Sequence, residues 1–406
     1  MTEILLGGLI IVALIAALTA ALLAARRRLI PPGALLVTVN DSQQIEAARG
    51  EKLLGVLHGA GIGIPAACGG AGTCGLCRVT VEGDGAGQAQ ATEKGILSAA
   101  ERKAHVRLAC QASLRGPCAV SVPQEFLGAT GYRCKVISNR QLAPLIRELV
   151  LELPEGQPFE FRAGGFQQLT APPYQLDFSQ IDLEPEFREI WHLSDWPTMR
   201  AHSAEPVTRA YSIANRAGDT GRAVFNIRLA VPPAGQEREV PPGIVSSWLF
   251  ALKPGDEVET SGPFGDFHVQ PTQREMIFIG GGVGMAPLRA MIHEQINLRT
   301  PRKMRYFYGA RSAIDLFYTE EFDAIAAANP NFEWTPALSD PAPGDRWTGA
   351  TGFIHDTVRA ALASHPAPED CEYYLCGPPV MISAVLNMLA KLGVEPHSIF
   401  NDDFGG

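Results

Sequence analysis

Ten residues, Cys68-Gly-Gly-Ala-Gly-Thr-Cys74-Gly-Leu-Cys77, constrain this chain more than any other stretch, because a fourth thiol, Cys110, follows after a long gap. Three close thiolates and one distant one are the way a protein wraps a 2Fe–2S cluster. The first gap is one residue longer than in the C-x4-C-x2-C spacing of many such sites. Zinc also accepts four thiolates, but usually from two C-x2-C pairs, and only one such pair is present. Gly69, Gly70, Gly72 and Gly75 let backbone N–H groups approach bridging sulfides. A disulfide framework does not suit a chain of 406 residues whose other four cysteines are scattered. Cys118, Cys134 and Cys371 read as ordinary thiols; Cys376 is a separate case.

The length allows roughly two to four domains, each with its own core. Net charge is −9, and Arg26-Arg27-Arg28 is the longest basic run, which disfavours nucleic-acid binding. Residues 4–25 are an unbroken apolar run, ILLGGLIIVALIAALTAALLAA. At helical rise it reaches about 33 Å, enough for the hydrocarbon core of a bilayer. The residues before it, Met1-Thr2-Glu3, lack the positive start of a signal peptide, and the run is too long for a signal core. The three arginines follow the run, which predicts a single transmembrane helix with its N-terminus outside and its body in the cytoplasm. That helix carries no ionisable residue and offers no ion path of its own.

Beyond Pro31-Pro32-Gly33, residues 35–39 read as a strand, 53–60 as a short helix, 78–81 as a strand leaving the cysteine loop and 119–122 as a closing strand. Short strands with one main helix describe a small α+β module. Over residues 32–126 this resembles the β-grasp fold of 2Fe–2S ferredoxins.

A new texture starts near Gly128. Residues 132–137, 146–153 and 166–170 alternate as β-strands. Arg209-Ala210-Tyr211-Ser212 follows, then Gly243-Ile244-Val245-Ser246-Ser247 and Gly262-Pro263-Phe264-Gly265. An R-x-Y-S motif alone is weak, but this order resembles the antiparallel β-barrel flavin domain of the ferredoxin–NADP reductase superfamily. The resemblance implies FAD, with FMN as the alternative. Arg209 would pair with the flavin pyrophosphate. Tyr211 would stack on the isoalloxazine ring, and Ser212 would hydrogen-bond its N5. Gly243, Ser246 and Ser247 would open a helix whose free N–H groups hold phosphate.

In the last third, Met276-Ile277-Phe278-Ile279 reads as a buried parallel strand. It runs into Gly280-Gly281-Gly282-Val283-Gly284-Met285-Ala286-Pro287 and then a helix over 288–298. Such a turn sets helix N–H groups against a pyrophosphate, although G-x-G-x-x-P is not the G-x-G-x-x-G fingerprint. Gly309-Ala310-Arg311-Ser312 and Cys376-Gly377-Pro378-Pro379 each end a further strand. The three segments resemble the doubly wound, parallel-sheet NAD(P) half of the same superfamily. The resemblance makes Gly281, Gly282, Gly284, Pro287, Gly309, Arg311, Gly377 and Pro378 nucleotide contacts, and Cys376 a neighbour of the nicotinamide. Arg311 has the charge to hold a ribose phosphate, whereas Glu320, Glu321 and Asp323 would repel one if close.

Soluble oxygenase reductases share this domain order. The apolar run, the longer cysteine gap, the polar insertion over 174–206 and the terminus Asn401-Asp402-Asp403-Phe404-Gly405-Gly406 instead resemble the family of F subunits of the sodium-translocating NADH:quinone oxidoreductases. The insertion's Trp191, His192 and Trp196 have no assigned counterpart. The resemblance implies NADH passing hydride to FAD, then single electrons passing through the 2Fe–2S cluster to integral membrane partner subunits and finally quinone. It implies location in the bacterial inner membrane, and gives Phe404 a place over the flavin until NADH displaces it. The alternative is a membrane-anchored NAD(P)H reductase serving an oxygenase. The expected architecture is an α/β and α+β multidomain chain: anchor 1–30, ferredoxin-like domain 31–128, FAD barrel 129–270 and NADH domain 271–406.

Overall fold

The computed structural model describes residues 13–19, 34–66, 68–123, 126, 131–156, 159, 161–215, 219, 221–233, 235, 236 and 239–402. Residues 13–19 are helical and exposed. The rest of the apolar run lies outside the described residues, and among those described no helix is long and apolar enough to cross a membrane. The chain divides into two compact units, one of residues 1–64 and 70–128, the other of 65–69 and 129–406.

In the first unit, β1 (Ala34–Val39) and β2 (Gln43–Ala48) form a hairpin, followed by α1 (Leu53–Gly59) and β3 (Arg78–Glu82). Two short helices, α2 (Ala91–Ile96) and α3 (Ala99–Lys103), precede β4 (Val106–Leu108) and β5 (Cys118–Ser121). The sheet order is β2-β1-β5-β3-β4, with β1 and β5 parallel at its centre. Alternation in β1 turns Leu35, Val37 and Val39 inward, where they join Leu53, Val56 and Leu57 of α1 in one core. Ser98 caps α3 by accepting from the Glu101 N–H, and Glu101 answers through the Ser98 N–H.

The second unit starts with β6 (Tyr132–Ala143), β7 (Ile146–Glu152) and β8 (Phe166–Ala171). The insertion contributes β9 (Tyr174–Asp177), α4 (Arg188–His192) and β10 (Arg200–Ser203). After it come β11 (Val207–Ser212), β12 (Arg222–Arg228), α5 (Ile244–Ala251) and β13 (Glu257–Phe264). The order β11-β8-β13-β6-β7-β12 is antiparallel throughout, and a bridge between Ile213 and Phe225 joins its two ends into a closed barrel.

The insertion differs from its polar reading. Trp191 is fully buried, donates its indole N–H to the Pro144 carbonyl at 2.7 Å and stacks on Phe250 of α5. Phe178, Ile181, Phe187 and Met199 complete a small core there. Its apolar residues are too widely spaced to show a helical or strand period, yet several short turns bring them together.

The nucleotide half is an all-parallel sheet in the order β17-β16-β15-β14-β18-β19. Its strands are β14 (Met276–Gly281), β15 (Met304–Ala310), β16 (Phe332–Leu338), β17 (Ala350–Thr351), β18 (Glu372–Cys376) and β19 (Ile399–Asp402). One face is covered by α6 (Met285–Asn297) and α7 (Thr319–Ala328), the other by α8 (Ile354–Leu362) and α9 (Pro379–Lys391). Every residue of β14 is buried, as a central strand covered on both faces requires.

Candidate functional site

The cysteine loop lies between α1 and β3. Cys77 and Cys110 are buried, while Cys68 and Cys74 are partly exposed. A hydrogen bond with Cys110, burial, and the charges of Cys110 and Cys74 push the Cys77 thiol far up. Such a set is held together as thiolates only by a bound cation, which fits the donor chemistry of an iron–sulfur site. Gly70, Gly72 and Gly75 all have positive φ, at 90°, 81° and 70°, which glycine reaches without a Cβ clash.

The turn bearing Cys110 hangs from a buried ion pair. The Glu93 carboxylate accepts from Arg107 at 2.8 and 2.9 Å, from the Leu108 N–H at 3.1 Å and from the Gln90 N–H at 2.7 Å. The Ala109 N–H donates to the Cys77 carbonyl at 2.8 Å, tying the turn of the distant cysteine to the close-spaced three.

In the barrel, Arg209, Tyr211 and Ser212 occupy β11, with Arg209 opposite Leu169 and Tyr211 opposite Gln167 of β8. Ser212 is buried; Arg209 and Tyr211 are half-buried, and loss of hydration pushes the Tyr211 phenol up. Arg209 donates to the Thr208 carbonyl at 2.8 Å. Gly243 caps α5, and a Cβ there would stand 2.6 Å from Ser246 Oγ and 2.8 Å from the Ala230 methyl. The Ser246 and Ser247 hydroxyls bond the Gly243 carbonyl at 3.2 and 2.6 Å, so both serve the turn itself. The helix N–H groups remain the phosphate donors this turn can offer.

In the nucleotide half three segments converge at the carboxyl ends of adjacent strands. Gly281 pairs with Gly309 and Gly280 with Cys376. A Cβ on Gly284 would meet the Cys376 carbonyl oxygen at 1.9 Å, and one on Gly281 would meet Met381 Sδ at 2.8 Å and Pro378 Cδ at 3.6 Å. Gly282 is the turn's left-handed residue, at φ 57°, and its carbonyl accepts from Tyr308 Oη at 3.0 Å. Pro287 lies in the first turn of α6, where its missing N–H costs no helix bond. Gly377 backs onto Gly281, a Cβ there standing 3.1 Å from the Gly281 carbonyl. Such a cradle of missing side chains fits a dinucleotide pyrophosphate, and open parallel sheets take their ligands at this edge. Cys376 is buried at the end of β18, and its register partner in β19 is Asp402. Phe404 lies outside the described residues, two positions beyond Asp402.

Two arrangements escaped the sequence reading. Arg311 forms an ion pair with Asp340, at 3.1 and 3.2 Å, at the end of β16. Glu321 does not stand free to repel a phosphate. It accepts two bonds from Arg289, at 2.7 and 2.8 Å, and lies 2.6 Å from His293 Nε2. Arg289 also donates to the Ala214 carbonyl at 2.7 Å and lies over the Tyr318 ring. The Tyr318 hydroxyl bonds Glu148 and the Asn226 amide. This clasp joins α6 and α7 to the barrel strands next to the Tyr211-Ser212 motif.

The clasp has a pH signature. Burial alone would raise the Glu321 pKa, but the bonds from His293 and Arg289 outweigh it and hold it at about 2, against an ordinary 4.5. A carboxyl depressed by folding contributes stability above its unfolded value and loses it as pH falls through the folded one. The contribution is on the order of 3 kcal/mol. Urea unfolding midpoints of wild type are expected to fall more steeply than those of Glu321→Gln between about pH 5 and pH 2. Parallel curves would show that the clasp adds nothing.

A second cluster, Glu275, His365 and Cys371, has its donor atoms within 4.8 Å of one another. The Ala367 N–H donates to His365 Nδ1, so Nε2 carries the proton and donates it to Glu275 at 3.2 Å. Glu275 is also paired with Arg305, and burial pushes the Cys371 thiol up to about 12. These groups pair with one another in the interior, although Glu275 Oε1 and Arg305 Nε keep no hydrogen-bond partner among the described residues.

Comparison with known proteins follows the same division. The 2Fe-2S iron-sulfur cluster binding domain family matches residues 37–115, the oxidoreductase FAD-binding domain family 197–269 and the oxidoreductase NAD-binding domain family 278–387. The chain is 47% identical over 408 residues to the F subunit of the Na(+)-translocating NADH-quinone reductase of Methylococcus capsulatus, covering 100% of both chains. It is 46% identical to the protein of the same name in Klebsiella pneumoniae, over 92% of each. Among solved structures, the Amycolatopsis cytochrome P450 reductase GcoB is 27% identical with a TM-score of 0.61, over 91% of this chain and 98% of that one. A ferredoxin reductase in carbazole 1,9a-dioxygenase is 25% identical with a TM-score of 0.60, over 92% and 99%.

Proposed function

The chain belongs to the family of F subunits of the Na(+)-translocating NADH-quinone reductases, and from that premise we propose that it is the NADH-oxidising, electron-input subunit of such a membrane complex. A bound flavin supplies what neither a nicotinamide nor an iron–sulfur centre supplies alone: it takes two electrons together and releases them singly. The chain's own residues bind, orient and keep out water.

The observation that carries the reading is the convergence of Gly281–Gly284, Gly309 and Cys376–Gly377 at one sheet edge, in the same unit as the Arg209-Tyr211-Ser212 strand. Arg209 binds the flavin pyrophosphate with the N–H groups behind Gly243, Ser246 and Ser247. Tyr211 and Ser212 fix the ring. Gly281, Gly282, Gly284, Pro287, Gly309, Arg311, Gly377 and Pro378 form the dinucleotide seat, with Cys376 beside the nicotinamide. Phe404 covers the flavin face, a role supported by the run of β19 alongside β18 as far as Asp402. Cys68, Cys74, Cys77 and Cys110 hold the cluster.

Residues 4–25 anchor the chain in the inner membrane as a single helix, N-terminus outside, among integral membrane partner subunits. The apolar length and the following arginines support this. The run contains no ionisable residue, so if the complex moves sodium its partner subunits should carry the ion.

Full chain in detergent is expected to oxidise NADH with an artificial acceptor, and to reduce quinone only when its partners are restored. Quinone reduction by the chain alone, or no NADH oxidation, would contradict the proposal. The alternative, a reductase for an oxygenase, would not respond to those partners.

The Arg311–Asp340 pair predicts coenzyme choice. Asp340 occupies the guanidinium that would otherwise meet a ribose phosphate, and adds a repelling charge. The pair is exposed, so its effect is moderate. Asp340→Ala is expected to raise kcat/KM for NADPH by roughly tenfold relative to NADH. Steady-state kinetics with both coenzymes check this, and an unchanged ratio would show that Asp340 plays no part in coenzyme choice.

A further inference from the structure

Gln111, next to Cys110, makes more contacts than a surface glutamine needs. Its carboxamide nitrogen donates to the Gly70 carbonyl at 3.0 Å and to Cys110 Sγ at 3.4 Å. Both N–H groups are thereby used, and the Gly70 carbonyl, which can only accept, fixes which end of the amide faces the loop. The amide oxygen accepts from Thr92 Oγ1 at 3.1 Å. The Gln111 carbonyl accepts from Lys52 Nζ at 3.0 Å, which holds the backbone. Room for the side chain comes from Gly72, where a Cβ would stand 2.6 Å from Gln111 Nε2. The cysteine loop and α2 thus both engage one side chain that also touches the Cys110 sulfur.

We infer that Gln111 sets the electron affinity of the cluster site, by donating an N–H to the Cys110 sulfur while clasping that distant ligand to the Gly70 loop. The inference rests on the reading of the four cysteines as cluster ligands. Reduction adds negative charge to the metal–sulfur unit, and a donor aimed at a ligand sulfur stabilises the more negative state. Hydrogen bonds to the sulfurs are among the levers that set such potentials. Thr92 acts as a positioning residue, through its bond to the amide oxygen.

The test is a redox titration of the full chain followed by paramagnetic resonance, with iron and sulfide content measured in parallel. Gln111→Glu keeps the shape and replaces the donor by a charged acceptor. Gln111→Met removes both donor and charge. Both variants are expected to keep their iron and sulfide while the reduction equilibrium falls about tenfold, which for one electron is ~59 mV. Thr92→Val, which leaves the carboxamide intact but unanchored, is expected to shift the same way by less. An unchanged potential in the Gln111 variants overturns the inference. Should both of them lose the cluster, Thr92→Val decides: a lowered potential supports the inference and an unchanged one overturns it. Wild-type chain without iron and sulfide would instead overturn the reading of the cysteines.

Discussion

Cys77→Ala is expected to reduce NADH-dependent quinone reduction by the assembled complex to background, with flavin bleaching by NADH preserved. Cys77 is the buried member of the close-spaced three, immediately before β3, and its carbonyl accepts from Ala109, one residue before Cys110. Removing its sulfur opens the set at its most enclosed corner. Cys77 lies in the first compact unit, whereas the barrel and nucleotide halves lie in the second, so flavin bleaching is expected to survive loss of the Cys77 sulfur. The split between the two readouts makes the test specific. A general folding defect removes both, and loss of an exit for single electrons removes only the first. Optical bleaching, paramagnetic resonance and iron content measured on one preparation check it. Zinc in place of iron and sulfide in the wild type would refute the cluster reading.

Gly284 has no room for a side chain. A Cβ there would lie 1.9 Å from the Cys376 carbonyl oxygen, 2.3 Å from its carbon and 2.7 Å from the Gly377 nitrogen. All three are backbone atoms of the strand end proposed to flank the nicotinamide, so the methyl is accommodated only by moving the segments apart. A misplacement of about 1 Å at a reacting centre costs on the order of 10²-fold in rate. Gly284→Ala is therefore expected to lower kcat/KM for NADH by ~10²-fold, with flavin content unchanged. Gly282→Ala is the control. Its site is open, with nothing within 4 Å, and only its φ of +57° opposes a side chain. Its expected cost is on the order of 1–2 kcal/mol of local strain. Equal losses in the two variants would show that the turn matters only through backbone strain.

The features legible in the sequence are those whose chemistry is local. The close-spaced cysteines, the Gly-rich turn after a continuous apolar strand and the alternation of β1 each span a few residues. Their physical requirements restrict which residues fit. The clasp was not legible, because Tyr318 and Glu148 stand 170 residues apart and neither belongs to a motif. The acidic residues after Gly309 would repel a phosphate if close, but Glu321 is engaged by Arg289 and His293. Asp340, carried just beyond the neighbouring strand β16, stands at Arg311 instead. The insertion concealed a core around Trp191, since its apolar residues follow no single period. Gln111 adjoins a cysteine of a recognisable motif, but its partner Gly70 is 41 residues away and only the fold brings them together.

The proposed function fixes an order of events: NADH is oxidised at the nucleotide sheet edge and single electrons then leave through the cysteine site. Rapid mixing of the full chain with NADH under anaerobic conditions, followed by optical and freeze-quench paramagnetic detection, tests it directly. Flavin bleaching is expected first, then a one-electron iron–sulfur signal that grows at a later time. An iron–sulfur signal that precedes bleaching, or bleaching never followed by such a signal, would contradict that order.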